Sequence, residues 1–293
     1  MIIVSVGAGL GNQMYEYSFY KYLTKLFPDK EIKVDIKYAF PKAHNGIEVF
    51  DIFGLSAPIA SFDEVKKLVG FYPLNGEGYK KNNIVLKIIK KLNLHPKTLL
   101  IQDDFTEYYE SFFNLNPDKS YYLLGPFANH KYFIEIEDEI KHLFEFPKIM
   151  DNRNLIYAND IKEANSVSIH IRKGDYVNEG IELTSKEFYD QAIAIIKIKV
   201  NNPKFFIFTD DINYARELFP DKENFTVVEG NTGKNSFRDM QLMSICKHNI
   251  TANSTFSFWG AFLNKNLKKI VIAPDLPFTG LRNTFTCDEW IKI

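Results

Sequence analysis

Between Ser166 and Val177 the chain reads Ser-Val-Ser-Ile-His-Ile-Arg-Lys-Gly-Asp-Tyr-Val. An arginine offers a planar fork of donors that fits phosphate oxygens. Val167, Ile169 and Ile171 alternate with Ser168, His170 and Arg172, the two-residue period of a β-strand, and Gly174-Asp175 stops it in a turn. His170 and Arg172 therefore share one face at the carboxyl end of a strand, where open α/β sheets bind ligands. The chemistry this suits is a clamp on a diphosphate. The same alternation also describes any half-exposed strand with solvated His and Arg, so the rest of the chain must decide.

Two further polar clusters follow strands. Asp210 and Asp211 come after the apolar run Phe205–Phe208, and Asn253, Ser254, Thr255 and Ser257 come after Asn249–Ala252 and open a helix. A helix N-terminus favours an anion through its backbone N–H groups and dipole, although Ser and Thr there also serve as plain N-caps. Asp210 has the acceptor oxygens to take the N1–H and amine of a guanine; its plainer role is a helix cap. With strand ends converging on one crevice, an arginine beside a helix start reads as a phosphate site.

The elements that must position these residues alternate strand and helix. Ile2–Val6, Ile32–Ile36, Leu99–Gln102 and Tyr121–Gly125 read as strands of the first half. Phe205–Phe208, Phe225–Val228, Asn249–Ala252 and Lys269–Ala273 follow the Ser166 strand in the second. Glycine-rich Gly7-Ala-Gly-Leu-Gly-Asn-Gln separates the first strand from a helix expected over Met14–Phe27. Helices are also expected from Ser61 to Leu68, over the basic segment Ile84–Leu94, from Tyr132 to Phe144, and over Ser185–Val200, Arg238–Cys246 and Phe258–Leu263. This alternation predicts parallel sheets with helices on both faces. A polar stretch at Pro147–Asn154 suggests two domains, 1–150 and 151–293.

The chain has 293 residues, 45% hydrophobic and 25% charged, enough to bury a full core. A net charge of -1 gives no whole-protein attraction for nucleic acid. Cys246 and Cys287 are the two cysteines, neither a disulfide framework nor a zinc cluster, which points to a reduced, cytoplasmic protein. The start lacks a basic region before its short apolar run, and no run of about 18 apolar residues occurs. The basic Ile84–Leu94 segment leaves peripheral contact with an anionic inner-membrane surface open.

Five segments together resemble the bacterial α-1,2-fucosyltransferases of glycosyltransferase family 11. They are Gly9-Leu-Gly-Asn-Gln-Met, His170-Ile-Arg-Lys-Gly-Asp-Tyr-Val, Phe206-Ile-Phe-Thr-Asp-Asp, Asp239-Met-Gln-Leu-Met-Ser and Asn249-Ile-Thr-Ala-Asn-Ser-Thr-Phe-Ser-Phe-Trp-Gly-Ala. They stand in family order, and 37–119 carries almost none of the signal. The resemblance implies an α/β GT-B fold, two Rossmann-like domains facing across a cleft. The first would be the acceptor side and the second the GDP-sugar side. It implies an inverting transfer of L-fucose from GDP-β-L-fucose to the 2-hydroxyl of a galactose-terminated oligosaccharide or lipid-linked glycan, as in surface-glycan or O-antigen synthesis, without a metal or other cofactor. Another GDP-sugar or another fucosyl linkage is the alternative. By the same resemblance Arg172 contacts the β-phosphate and stabilises the leaving GDP, and His170, Asp175, Asp210, Asp239, Asn253, Ser254, Thr255 and Phe256 line the donor site. Gly11, Asn12 and Gln13 face the acceptor or the sugar, with Asn12 at the reacting centre, or else hold their loop. No carboxylate or histidine announces itself as the base. The chain departs from the family at Ala8, at Tyr15-Glu16, at Lys173 where a second arginine is common, at Phe258, and at Gly125-Pro-Phe-Ala-Asn-His.

Overall fold

Four short strands build the first sheet: β1 (Ile2–Ser5), β2 (Ile32–Asp35), β3 (Leu99–Ile101) and β4 (Tyr121–Leu124), in the order β2-β1-β4-β3. All pair in parallel. Every residue of β1 and β4 is buried, as expected for central parallel strands covered on both faces. The structure, a computed structural model, describes residues 1–39, 45–72, 74, 94–104, 107–174, 184–221, 223–275, 277–278, 281–282 and 285–293. The expected Ile84–Leu94 helix therefore lies outside the described residues, apart from its last residue.

Helix α1 (Leu10–Leu26) covers this sheet with an aromatic face. Phe19 stacks within 4.3 Å of Phe127 and 5.1 Å of Tyr132, ring to ring. Such pairs add about 0.5–1.5 kcal/mol each beyond their buried area. Helix α2 (Val49–Phe53) packs on α1 through Phe50 against Tyr17, α3 (Phe62–Val69) sets Val65, Leu68 and Val69 in a core with Ile3, Tyr122 and Leu124, and α4 (Glu137–Leu143) follows β4. Ser61 caps α3 in a reciprocal box with Glu64, the arrangement its Ser-x-x-Glu spacing encodes.

The second sheet has six strands: β5 (Asn165–Ile171), β6 (Pro203–Thr209), β7 (Phe225–Val227), β8 (His248–Ile250), β9 (Val271–Ala273) and, after a β10–β11 hairpin (Pro277–Phe278, Leu281–Arg282), β12 (Ile291–Lys292). Their order is β12-β9-β8-β5-β6-β7, all parallel. The helices are α5 (Asn152–Glu163), α6 (Lys186–Lys199), α7 (Ile212–Leu218), α8 (Phe237–Ile245) and α9 (Thr255–Phe262). Val167, Ile169 and Ile171 join Phe205, Ile207 and the inner face of α6 in one core. The chain divides into two units, Met1–Glu145 and Phe146–Ile293, each a parallel α/β layer.

Several expectations shift. Helix α1 starts at Leu10, not Met14, because Gly9 adopts the extended N-cap geometry (φ -81°, ψ 163°) that lets the helix begin at once. Gly11, Asn12 and Gln13 thus sit in its first turn rather than in a loop. The segment read as one helix from Tyr132 breaks into 3-10 turns before α4. Helix α5 begins within the last residues of the stretch read as a polar boundary; its N-cap, Asp151, accepts the Asn154 N–H. The alternation in β5 does not mark a solvated face: Ser168 and His170 are buried as well.

Candidate functional site

In the second sheet β6 and β7 lie on one side of β5, and β8, β9 and β12 on the other. The switch point is therefore between β5 and β8, and the crevice outside their carboxyl ends is where such a sheet takes ligands. Three of the expected clusters meet there. The His170 ring lies 5.7 Å from the Phe256 ring, and the Arg172 Nη1 lies 3.1 Å from Asp210 Oδ2.

His170 is buried beneath this edge, its backbone carbonyl accepting the Tyr189 hydroxyl at 2.9 Å. Its Nδ1 has no hydrogen-bond partner among the described residues. Burial, reinforced by the Arg172 charge, lowers its pKa to about 3, so the imidazole is neutral near pH 7. A buried ring nitrogen without a partner is costly unless a ligand or water meets it.

Arg172 leaves β5 half-buried and is held by the neighbouring strand exit. Asp210 grips it with one oxygen and the Lys173 N–H with the other at 2.9 Å. Lys173 in turn reaches Asp211 Oδ2 at 3.0 Å and lies 4.0 Å over the Tyr214 ring. Asp211 caps α7 through the Tyr214 N–H, which with Lys173 holds its carboxyl below the usual range. Gly174 follows closely: a Cβ there would come 3.2 Å from Asp210 Oδ2, so a larger residue would push the carboxylate by a few tenths of an ångström. Each Asp210 oxygen thus makes one contact within the protein and keeps a lone pair for a further donor. Asp210 is placed to hold Arg172, and the guanine contact expected of it is compatible with this arrangement.

Ser254 caps α9, accepting the Phe256 N–H at 3.3 Å, while Ser257 Oγ accepts the Ala252 N–H at 3.2 Å. Asn253 is buried, its N–H on Thr184 Oγ1 at 3.4 Å; Thr255 and Phe256 are half-exposed at the helix start. The first turn of α9 therefore presents its amides at the same edge as Arg172. Asp239 sits in the first turn of α8 and accepts Asn231 Nδ2–H at 2.8 Å; Asn231 pairs reciprocally with Asn154 at 2.8 and 2.9 Å. Burial raises the Asp239 pKa to about 7, opposed by the Asn231 bond. Asp175 lies outside the described residues.

In the first unit Gln13 is buried and its amide is fully used by backbone groups, so of the two roles open to it from the sequence it fills that of holding the loop. Gly11 is buried; Asn12 is half-exposed in the same turn. Sequence reasoning overlooked Gln102, Asn154, Asn231 and Tyr189, whose polar groups bond backbone or amide partners, and Glu16, which bonds the Gly7 N–H through Oε2 while its buried Oε1 has no partner among the described residues. For Glu16 and Gln102 the signal was a polar group in an apolar stretch; Asn154 and Asn231 lie in polar segments and carried none. Among the described residues no three His, Cys, Asp or Glu side chains converge as metal ligands would, and no helix is long and apolar enough to cross a membrane.

An alpha-1,2-colitosyltransferase of Escherichia coli is 31% identical, covering 100% of this chain and 99% of that protein. The O-antigen biosynthesis glycosyltransferase WbnK of Escherichia coli is 28% identical, covering 98% and 99%. The crystal structure of the fucosyltransferase NodZ from Bradyrhizobium superposes with a TM-score of 0.50 at 14% identity, covering 88% of this chain and 90% of that one, a likeness of fold. That fold supports the GT-B class expected from the motifs. The family described as Glycosyl transferase family 11 matches residues 74–293. With this match over most of its length and a relative above 30% identity along all of it, the chain belongs to glycosyl transferase family 11.

Proposed function

We propose that this glycosyltransferase moves L-fucose from GDP-β-L-fucose to the 2-hydroxyl of a terminal galactoside, with inversion at the anomeric carbon. The observation that carries the reading is the juxtaposition of Arg172 and the α9 N-terminus at the β5–β8 switch point, which fits a sugar diphosphate. The acceptor hydroxyl oxygen attacks C1 of the sugar, the C1–O bond to the β-phosphate breaks, the departing GDP takes the bonding pair and its negative charge, and the hydroxyl proton is released to solvent water. Arg172 and the first amides of α9 stabilise that charge as it develops, a contribution of about 3–4 kcal/mol for one well-placed donor. His170, neutral and buried, offers a ring nitrogen to the nucleotide without adding charge. Asn253, Ser254, Thr255 and Phe256 form the phosphate turn. Asn12, from the first unit, faces the acceptor or the sugar; an amide orients a hydroxyl but is no strong base. The transfer needs no metal in this reading, and the setting is the cytoplasmic assembly of a surface glycan, with peripheral membrane contact compatible with it.

The 31% identity to an alpha-1,2-colitosyltransferase favours a second donor, GDP-colitose, which lacks one ring hydroxyl of fucose. Incubation with lactose or N-acetyllactosamine and either GDP-sugar, following GDP release and the linkage by NMR, separates the two. Faster turnover of GDP-fucose with an α-1,2 product is the expected result. A preference for GDP-colitose establishes the second reading, and no turnover with either across galactosides overturns both.

A further inference from the structure

The first two turns of α1 fold back on the turn that precedes them. Glu16 is fully buried, and its Oε2 accepts the Gly7 N–H at 2.7 Å. Gln13 Nε2 donates to the carbonyls of Ala8 and Gly46, both at 2.9 Å, and its Oε1 accepts the Glu48 and Val49 N–H groups at 2.8 and 3.1 Å. Between these two anchors Ala8 is held at φ 57°. A non-glycine residue adopts this left-handed conformation only where its surroundings enforce it.

The neighbouring strand uses the same device. Phe127 follows β4 at φ 44°, its N–H held by Gln102 Oε1 at 2.8 Å. A Cβ on Gly125 would meet the Gln102 Cβ at 2.7 Å, so the chain can pass there only as glycine. Ala8 and Phe127 thus occupy the loops leaving β1 and β4, the strands on either side of the switch point of the first sheet. Backbone strain gathers where a fold positions functional groups.

The group so positioned is Asn12. Its N–H bonds Gly9 O at 3.0 Å, while its side chain is half-exposed and makes no hydrogen bond among the described residues. It is the first-turn polar side chain left for a ligand, since Gln13 is spent. Glu16 suits the task of a pin because burial holds its carboxyl well above the usual range, which favours the uncharged form. An uncharged acceptor fixes the Gly7 N–H without bringing charge into the core of the turn.

We propose that Glu16 is a positioning residue for the transfer reaction: it pins the strained Gly7-Ala8-Gly9 turn so that the Asn12 amide is presented at the carboxyl edge of β1. The proposal rests on the transferase reading above. The test uses the full chain with Glu16→Gln, which keeps an uncharged acceptor, and Glu16→Ala, which removes it. Glu16→Ala should lower kcat about 100-fold, the scale of an ångström-sized misplacement, with GDP affinity changed less than about twofold. Glu16→Gln should stay within about threefold of the parent, because its Oε1 replaces the carboxyl acceptor. Should Glu16→Ala not fold, Glu16→Met keeps the volume without the strong acceptor and must show the same split. Equal losses in Glu16→Gln and Glu16→Ala, or undiminished turnover in Glu16→Ala, overturn the proposal. Amide hydrogen exchange at Gly7 gives a readout independent of turnover: it should quicken at least about tenfold in Glu16→Ala alone. If the parent protein turned over no GDP-sugar, the transferase reading would fail, while unchanged Gly7 protection in Glu16→Ala would defeat the pin itself.

Discussion

The carboxyl edges of the two sheets are built by opposite means. At the first, the anchors Ser5, Gln13, Glu16 and Gln102 are buried and bond backbone groups, and the loops they hold are strained. At the second, matched charges do the holding: Arg172 and Lys173 from the β5 exit interlock with Asp210 and Asp211 from the β6 exit. The difference follows the chemistry proposed for each. A neutral sugar hydroxyl has to be aimed, and rigid uncharged geometry aims it without perturbing its solvation. A diphosphate has to be neutralised, and charge on a half-exposed edge attracts it at the cost of sensitivity to salt.

The largest effect should come from the ionic edge. Arg172→Ala removes the fork while leaving the β5 core on its other face, so transfer should fall at least about 10³-fold with the circular dichroism spectrum unchanged. Activity within tenfold of the parent would take Arg172 out of the mechanism and leave the contrast between the edges without its main support.

Asp210→Ala should be next, lowering kcat about 10- to 100-fold because Arg172 and the Lys173 N–H lose their shared anchor. This variant also sharpens the reading of Asp210. An orienting role predicts a kcat loss with GDP still favoured over UDP in binding; a guanine contact predicts that this preference collapses. Salt provides a companion measurement: raising NaCl to about 0.5 M should weaken GDP binding several-fold, because charged groups at an open edge are screened. The kcat ratio of Glu16→Ala to the parent should stay constant over the same range, since no net charge is involved.

How much of this the sequence discloses depends on how local each cause is. The two-residue period of β5 and the Ser185 cap are written in a handful of adjacent residues, and they were readable; α9 was expected from Phe258 but starts at Thr255, because Ser254 rather than a later residue of the polar run is its cap. The start of α1 was not, because glycines at positions 7, 9 and 11 read as a loop. What makes Gly9 an N-cap is its extended backbone, and what holds the turn is Glu16 from nine residues downstream of Gly7. Nothing in the letters Ala8 and Phe127 advertises a left-handed backbone, since the enforcing partners, Gln13 and Gln102, lie elsewhere in the chain. Helix α5 escaped because its sequence is polar; its apolar contribution to the core is confined to Ala158 and Ile161. The polar groups His170, Arg172 and Ser254 could be placed at strand ends from the sequence, and the structure does bring them to one edge of the second sheet. That Asp210 meets Arg172 is a tertiary fact, decided by the register that sets Ile171 opposite Thr209 across β5 and β6.

The smallest effect tests whether the second edge is ionic throughout. Asp239 lies behind that edge, and its folded pKa of about 7 stands well above its ordinary value of 3.8. An acid that holds its proton more tightly when folded loses stability as pH rises through the interval between the two values. In the unfolded chain Asp239 is already ionised above about pH 5, whereas the folded protein resists ionising it until near pH 7. The parent should therefore weaken from pH 4 towards pH 7 through this group, and Asp239→Asn, which keeps an oxygen for the Asn231 amide, should not. The variant should match the parent near pH 4 and exceed it by about 2 kcal/mol at pH 8, a figure reduced for the partial exposure of the residue. Urea midpoints across that range read the difference directly. His170 acts in the opposite direction over an overlapping window, since its folded pKa of about 3 makes the protein weaken as pH falls below 6.5; it is common to parent and variant and cancels in their difference. A parent minus Asp239→Asn difference that does not grow with pH would mean the carboxylate is already ionised and well solvated, leaving the second edge charged to its base. A growing difference would place in the second unit the same kind of neutral acid that Glu16 supplies in the first.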